Sequence, residues 1–159
     1  MQAGVRLFAA SMACPYFSPS ESIAGRVEDC RIRPPLGALY LGHCLARGVP
    51  EHPPDANTLE RGCNFGYARS ICAIFPQHAE PDAVRFSVAC DDGRRIDILF
   101  SIEGSHRPLR HGRLEFDREQ QSWNGIASDT ILYDQAKAYL KSYLRWKSRK
   151  EALETPPTA

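Results

Sequence analysis

Residues 63–76 read CNFGYARSICAIFP, a segment that sets Cys63 and Cys72 nine positions apart. In an unbroken α-helix, nine steps of about 100° would place the two thiols on opposite faces. The two cysteines can therefore share a ligand only if the backbone breaks between them. Gly62 and Gly66 could supply the break, because glycine tolerates positive φ and close backbone approach. We expect Cys63 in a loop and Cys72 on or just after a short helix.

The cysteines are concentrated in the first half of the chain. The first half contains five cysteines, which are Cys14, Cys30, Cys44, Cys63 and Cys72. The second half contains only Cys90. A chain of 159 residues can bury a sufficient core without cross-links, so the thiols are not required for stability alone. The sequence predicts a metal site with Cys14, Cys44, Cys63 and Cys72 as ligands and Cys30 as a substitute for one of them.

The spacing of these cysteines bears on the metal. No CxxC pair is present, whereas zinc ribbons and bacterial ferredoxins use such compact pairs. Four thiolates suit either zinc or a [4Fe–4S] cluster and exclude calcium and magnesium. The aromatic and apolar neighbours would shield a cluster from water, and these are Phe17, Phe65, Tyr67, Ile71 and Phe75. We therefore expect an iron–sulfur cluster, with zinc as the alternative.

Composition limits the cellular context and the partners. The net charge is +1, which gives no general attraction for nucleic acid or for acidic substrates. Residues 5–13 are too short for an export signal and contain Arg6, so a disulfide framework is not expected. No run approaches the roughly 18 apolar residues of a membrane span. The chain is interpreted as cytoplasmic, with reduced thiols and no membrane association.

The second half predicts a sheet and a helix. Apolar residues alternate at 84–90 and again at 96–102 around the turn Asp91–Arg94, which is typical of a β-hairpin. Leu114 and Phe116 predict a third strand, and Cys90 is expected on the apolar face. A helix starting at Ser128 or Asp129 should place an apolar face on this sheet.

The predicted fold class is α+β. An irregular, cysteine-rich amino-terminal half with short helices, residues 1–80, precedes a three-stranded antiparallel meander covered by a carboxy-terminal amphipathic helix, residues 81–150. Residues 151–159 are expected to be frayed, and the whole chain is expected to be one domain. Within the first half, residues 16–22 are interpreted as turns and residues 36–48 as a short helix. Residues 104–112 are interpreted as a loop.

Three functions from different classes follow. The first is a cluster-bearing protein for electron transfer or an accessory role, and the second is a zinc-stabilised module that binds a protein or nucleic acid. The third, an enzyme with a reactive cysteine, is disfavoured because no Cys/His/Asp arrangement supports it. A basic row on the helix is the candidate partner-binding surface, or else a solvated face, and consists of Lys137, Lys141, Arg145 and Arg149.

Overall fold

A computed structural model describes residues 12–23, 34–47, 49–65, 67–125 and 129–154. These residues form a two-stranded and a four-stranded antiparallel sheet together with helices. The predicted α+β class is therefore confirmed. The interpretation of the chain as one domain stays a prediction.

The first half contains a small sheet that the sequence did not predict. Strand β1 (Phe17–Ser22) pairs with β2 (Tyr40–Cys44), and the register places Phe17 opposite Cys44. The predicted turns at 16–22 and the predicted short helix at 36–48 are therefore wrong. A Cβ on Gly42 would lie 2.2 Å from the Ser18 carbonyl oxygen, so the glycine permits a close approach of the two strands.

Three short helical turns follow β2. The turn α1 (Ala56–Thr58) is capped by Asp55. Its Oδ1 accepts hydrogen bonds from the backbone N–H groups of Asn57 and Thr58, both at 3.1 Å. A π-helical turn spans Leu59–Cys63, and a 3₁₀ turn spans Ala68–Ser70. Because Tyr67 between them is extended, the backbone does break between Cys63 and Cys72.

Gly62 does not make this break in the way that the sequence predicts. Gly62 lies inside the π-helical turn and is not among the glycines with positive φ, so the expected role for it is wrong. Gly66 lies outside the described residues. The 3₁₀ turn ends at Ser70, and Cys72 follows it in a stretch of turns.

The large sheet has four strands in the order β3-β4-β5-β6. Their bounds are Ala83–Asp91, Arg95–Gly104, Arg107–Asp117 and Ser122–Asn124. The predicted hairpin of β3 and β4 is confirmed, but the predicted three-stranded meander is wrong. A fourth strand forms because Trp123 pairs with Phe116 across the sheet, where the two rings contact each other in a tilted arrangement with centroids 5.2 Å apart.

Two further details of this sheet differ from the predictions. The predicted loop 104–112 reduces to a two-residue turn, Ser105 and His106, both with positive φ; Gly104 ends β4, and residues 107–112 belong to β5. A bulge between Val88 and Cys90 shifts the register of β3. Cys90 is consequently exposed, and the expectation that it packs in the core is wrong.

Helix α2 (Thr130–Glu154) lies against both halves of the described chain. Its start is confirmed, because Asp129 accepts a hydrogen bond from the Leu132 N–H at 3.0 Å. Ala138 belongs to the core cluster of the first half, and Ala136 and Leu140 belong to that of the large sheet. The helix continues to Glu154. The prediction that the chain is frayed from residue 151 onward is therefore wrong for residues 151–154. No described helix is sufficiently long and apolar to span a membrane.

Candidate metal centre

Four cysteines from separate parts of the first half line one small cavity. These are Cys14, Cys44, Cys63 and Cys72, the four residues that the sequence predicts as ligands. They are separated by up to 58 positions along the chain (72 − 14 = 58). The fold therefore brings the four predicted side chains to one place.

Backbone hydrogen bonds hold the segments that carry these cysteines. Cys14 precedes β1, and its N–H donates to the Cys63 carbonyl oxygen at 3.2 Å. Cys44 ends β2, and its N–H donates to the His52 carbonyl oxygen at 2.8 Å. The Cys72 N–H donates to the Ala68 carbonyl oxygen at 2.7 Å, which ties Cys72 to the 3₁₀ turn. Each thiol is thus placed by a different structural element.

The remainder of the cavity wall is mostly apolar. It consists of Tyr16, Phe17, Ala46, Ala68, Ile74, Phe75 and Pro76. Cys14 and Cys63 are buried, whereas Cys44 and Cys72 are half-buried, and each carries a free thiol. No His, Asp, Glu, Lys or Arg side chain of the described residues lines this cavity. Among the residues that the structure describes, the four sulfur atoms are the only soft donors in the cavity.

Burial raises the pKa of three of the four thiols, Cys14, Cys44 and Cys63, and so favours their protonated form. Burial raises the pKa of the Cys14 thiol and raises that of Cys63 to about 12. Burial also raises the pKa of Cys44, and a charge on Cys72 would raise it further. A neutral thiol is a poor nucleophile, so these cysteines are not activated for covalent catalysis. His43 gives no help to Cys44, because successive residues of a strand point to opposite faces.

The present arrangement of the thiols is not that of a closed single-ion site. Within the described ranges, no three His, Cys, Asp or Glu side chains are arranged to hold a metal ion. A zinc ion bonds each sulfur at about 2.3 Å, which draws four sulfurs to within about 4 Å of each other. The shared cavity and the mutual electrostatic effects of the cysteines show proximity, but not this tight tetrahedron. The cavity measures about 20 Å³, which is close to the room that one water molecule needs.

Asn64 positions Cys63 and was missed by the sequence reasoning. It is buried, and its Oδ1 accepts a hydrogen bond from the Tyr40 N–H at 2.9 Å. Its Nδ2 donates to the carbonyl oxygens of Tyr40 and Leu59 at 2.9 and 3.1 Å. One amide thus joins β2 to the π-helical turn beside a predicted ligand.

Arg69 fixes the segment that follows Cys72. Its guanidinium donates to the carbonyl oxygens of Pro76 at 3.3 Å, Gln77 at 2.8 Å and Ala79, and it pairs with Asp82. The same group lies 4.7 Å from the centroid of the Phe75 ring, which belongs to the cavity wall. The only signal for this role in the sequence is an arginine between two cysteines.

Gln135 attaches α2 to the segment that carries Cys14. Its Nε2 donates to the carbonyl oxygens of Cys14 at 2.7 Å and Phe17 at 2.8 Å, and its side chain is fully buried. The sequence did contain a signal for this residue. Gln135 is three positions after Leu132 and four before Tyr139, so it is a polar residue on the apolar face of the helix.

Two members of the basic row, Lys137 and Arg145, already have partners within the chain. Lys137 pairs with Asp134 at 2.9 Å and lies 4.4 Å from the Tyr133 ring centroid. Arg145 donates to the Ser22 hydroxyl at 3.2 Å. Lys141 is exposed on the same helix. Partner binding by Lys137, Lys141, Arg145 and Arg149 stays a prediction, and Cys30, the substitute ligand, lies outside the described residues.

Comparisons with models of known protein families, with curated proteins and with solved structures found no significant match.

Proposed function

We propose that this chain binds a metal centre through Cys14, Cys44, Cys63 and Cys72, and that the centre is an iron–sulfur cluster of the [4Fe–4S] class. The observation that carries the proposal is the convergence of these four cysteines on one apolar cavity that no His, Asp or Glu side chain of the described residues lines. Thiolates are the usual ligands of such clusters. The role is electron transfer or an accessory function to a protein partner, in the cytoplasm, and not catalysis by a reactive cysteine.

The loose arrangement of the four sulfur atoms fits a cluster better than a single ion. The four sulfurs share a cavity wall without forming a tight tetrahedron around one point. A cluster of several iron atoms separates its cysteine ligands more widely than a single ion does. The apolar wall would also exclude water, and exposure to water is one of the factors that set the potential of a cluster.

The half-buried cysteines give the centre access to the surface. Cys44 and Cys72 are partly exposed, and Ile74 beside Cys72 is 39% exposed. Electrons can enter or leave through this side, while Cys14 and Cys63 close the buried side. The cavity of about 20 Å³ must widen to admit a cluster, and binding would therefore have to displace the segments that carry the half-buried Cys44 and Cys72.

A zinc site is the second candidate, because the small volume of the cavity suits one ion better than four. In that case the metal would only stabilise the first half, and the chain would act as an interaction module. Binding of a protein or of nucleic acid through the basic row is compatible with either metal.

Elemental analysis of protein purified without oxygen separates the two metals. An iron–sulfur protein should be brown, absorb broadly near about 400 nm and contain iron and sulfide in stoichiometric amounts. Colourless protein with one zinc per chain would support the second candidate and exclude the first. Protein that contains neither metal and takes up neither on reconstitution would exclude the site itself.

Single cysteine variants test the assignment of the ligands. We expect Cys63→Ser and Cys72→Ser to lose most of the bound metal, because each removes one of the four thiolates. Cys90→Ser is the matched control, since the exposed Cys90 is remote from the cavity wall and should retain full metal content. Equal metal content in the three variants would contradict the assignment.

A further inference from the structure

A second, larger cavity lies beside the cysteine cavity. Its volume is about 460 Å³, within the range of roughly 300–1,000 Å³ that is typical of small-molecule sites. Tyr16 and Pro76 line both cavities, so the two are neighbours. The larger cavity lies between the first half, the β3–β4 hairpin and the start of α2.

Most of the wall of this cavity is apolar. Aliphatic side chains from four segments contribute to it, and these are Leu45, Val84, Ile102, Ile131 and Leu132. Such a wall favours a ligand with an aromatic or aliphatic body, because the apolar surface of the ligand is removed from water on binding.

Gln135 is one of the residues that line the cavity, and its side chain contains an unpaired acceptor. Its Nε2 donates to two carbonyl oxygens, which can only accept, and this fixes the orientation of the amide. The Oε1 atom is therefore an acceptor, and it is buried without a hydrogen-bond partner in the described part of the chain. A buried acceptor without a partner is unfavourable, and a ligand that supplies an N–H or O–H group would satisfy it.

Arg47 supplies a positive charge at the same cavity. It is exposed, and its charge acts on the neighbouring Tyr16, where it opposes the rise in pKa that burial causes. No carboxylate of the described residues forms an ion pair with Arg47. The other charged residue in the wall, Asp129, is already paired with Arg110 at 3.0 Å and caps α2. As far as the described residues show, the cavity thus offers one uncompensated cation.

We propose that this cavity binds a small organic anion whose apolar body carries an N–H or O–H donor. The anionic group would pair with Arg47, the body would lie on the aliphatic wall, and the donor would reach the Gln135 amide oxygen. This proposal does not depend on the identity of the metal or on its presence.

The dye 1-anilinonaphthalene-8-sulfonate is a suitable probe, because it combines an apolar body, an anionic group and an N–H donor. We expect the full chain to bind one dye molecule saturably, with the fluorescence increase typical of an apolar environment. Arg47→Gln should weaken binding about tenfold, since it removes a charge-assisted contact. Ile131→Trp, which places a larger side chain in the cavity, should abolish saturable binding.

The control variant is Arg107→Gln, which removes an exposed arginine outside the cavity wall and should leave the affinity unchanged. Circular dichroism and metal content of each variant check that the fold is retained, since loosely packed states also bind this dye. The side-chain amide resonances of Gln135 should shift when the dye is added. The proposal would be overturned if the unchanged chain showed no saturable binding. It would also be overturned if Arg47→Gln and Ile131→Trp bound the dye as tightly as the unchanged chain does.

Discussion

Asn64 illustrates how one polar side chain organises the cysteine cavity. All of its hydrogen bonds go to main-chain groups of two different segments, β2 and the π-helical turn, so it joins backbone to backbone. A shorter side chain at this position would remove the partner of the Tyr40 N–H and of the Tyr40 carbonyl oxygen in a buried place, whereas the Leu59 carbonyl oxygen would keep its bond from the backbone N–H of residue 64 at 3.0 Å. The residue is therefore expected to contribute to stability and to the position of Cys63.

We expect Asn64→Ala to lower the free energy of unfolding by about 2–3 kcal/mol, the cost of leaving buried polar groups unpaired. Urea denaturation followed by circular dichroism measures this change. Asn124→Ala is the control, because Asn124 is exposed and makes only a long contact of 3.4 Å with Glu115. A similar loss in both variants would show that the Asn64 hydrogen bonds have no special role.

Asp91 is the main charged residue that links the large sheet to α2. Its carboxylate accepts hydrogen bonds from Lys147 at 2.8 Å, Tyr143 at 2.9 Å and Arg118 at 3.1 Å. Burial alone would raise the pKa of Asp91, but these donors and the Gly93 N–H outweigh it and hold the pKa below its ordinary value of 3.8. The charged form is therefore the one that the folded state prefers.

The sign of the pH effect follows from this lowered pKa. The stabilisation by Asp91 is complete above pH 3.8 and is lost as the pH falls through the lower pKa of the folded state. We expect Asp91→Asn to lower the free energy of unfolding by about 1.5–3 kcal/mol at pH 7 and by clearly less near pH 2. Denaturation at both pH values measures this. Glu119→Gln, at an exposed ion pair, should show little change at either pH.

At the scale of elements, the approach of β1 to β2 depends on Gly42. A Cβ at this position would lie 2.2 Å from the Ser18 carbonyl oxygen and 2.7 Å from the Phe17 ring. The Ser18 carbonyl oxygen is part of the backbone and cannot move aside as a flexible side chain can. Strands β1 and β2 would therefore have to separate. Because β2 carries Cys44 and Phe17 lines the cysteine cavity, the separation would also disturb the candidate metal centre.

We expect Gly42→Ala to destabilise the chain by about 2–3 kcal/mol and to reduce its metal content. Gly62→Ala is the matched control, because its Cβ would make an ordinary contact of 3.7 Å with Ala68 and its φ is not positive. Alanine is also favoured over glycine in helical backbone, so stability should stay equal or rise. Thermal melts and metal analysis distinguish the two variants, and a larger loss in Gly62→Ala would contradict this account.

Some elements could be predicted from the sequence because their hydrophobic pattern is local. Strands β3 and β4 show alternation around an Asp-Asp-Gly turn, and α2 shows an apolar face with Asp129 as its cap. Strand β1, FSPSES, has neither alternation nor branched side chains, and it forms because β2 and α2 cover it. Its pairing depends on contacts that are distant in sequence.

The four cysteines that line one cavity could be selected from the sequence, but the residues that hold their segments in place could not. The four cysteines could be selected because they are chemically distinct and concentrated in one half. Asn64 and Arg69 act on backbone groups, so nothing in their spacing indicates a role. For Cys90 the local pattern gave a wrong prediction. Alternation placed its side chain in the core, but one extra residue in a bulge turns it outward.

At the scale of the whole molecule, the described core divides into two clusters. The first contains the cysteine cavity and the second joins the large sheet to α2. Phe86 and Tyr139 pack against both, with ring centroids 5.5 Å apart. Cooperative units of this kind can open separately, each with its own free energy.

Hydrogen exchange tests this division. We expect removal of the metal to increase amide exchange in β1, β2 and the π-helical turn, because a bound metal stabilises only the cluster that contains its ligands. Amides of Ile98 and Leu114, in the second cluster, should keep their protection. Uniform loss of protection across both clusters would indicate a single cooperative unit instead.

The hydrogen bond from Gln135 to the Cys14 carbonyl has a mechanical consequence. Helix α2 has 25 residues and is therefore about 37 Å long, and a helix moves as a stiff rod. Gln135 lies near one end of this rod, and Lys141 and Arg145 lie farther along it. If the proposed metal fills the cavity, a displacement of the Cys14 loop would act on Gln135, and the stiff helix would carry it toward the basic row, where a docked partner would respond to the state of the thiols at a distance.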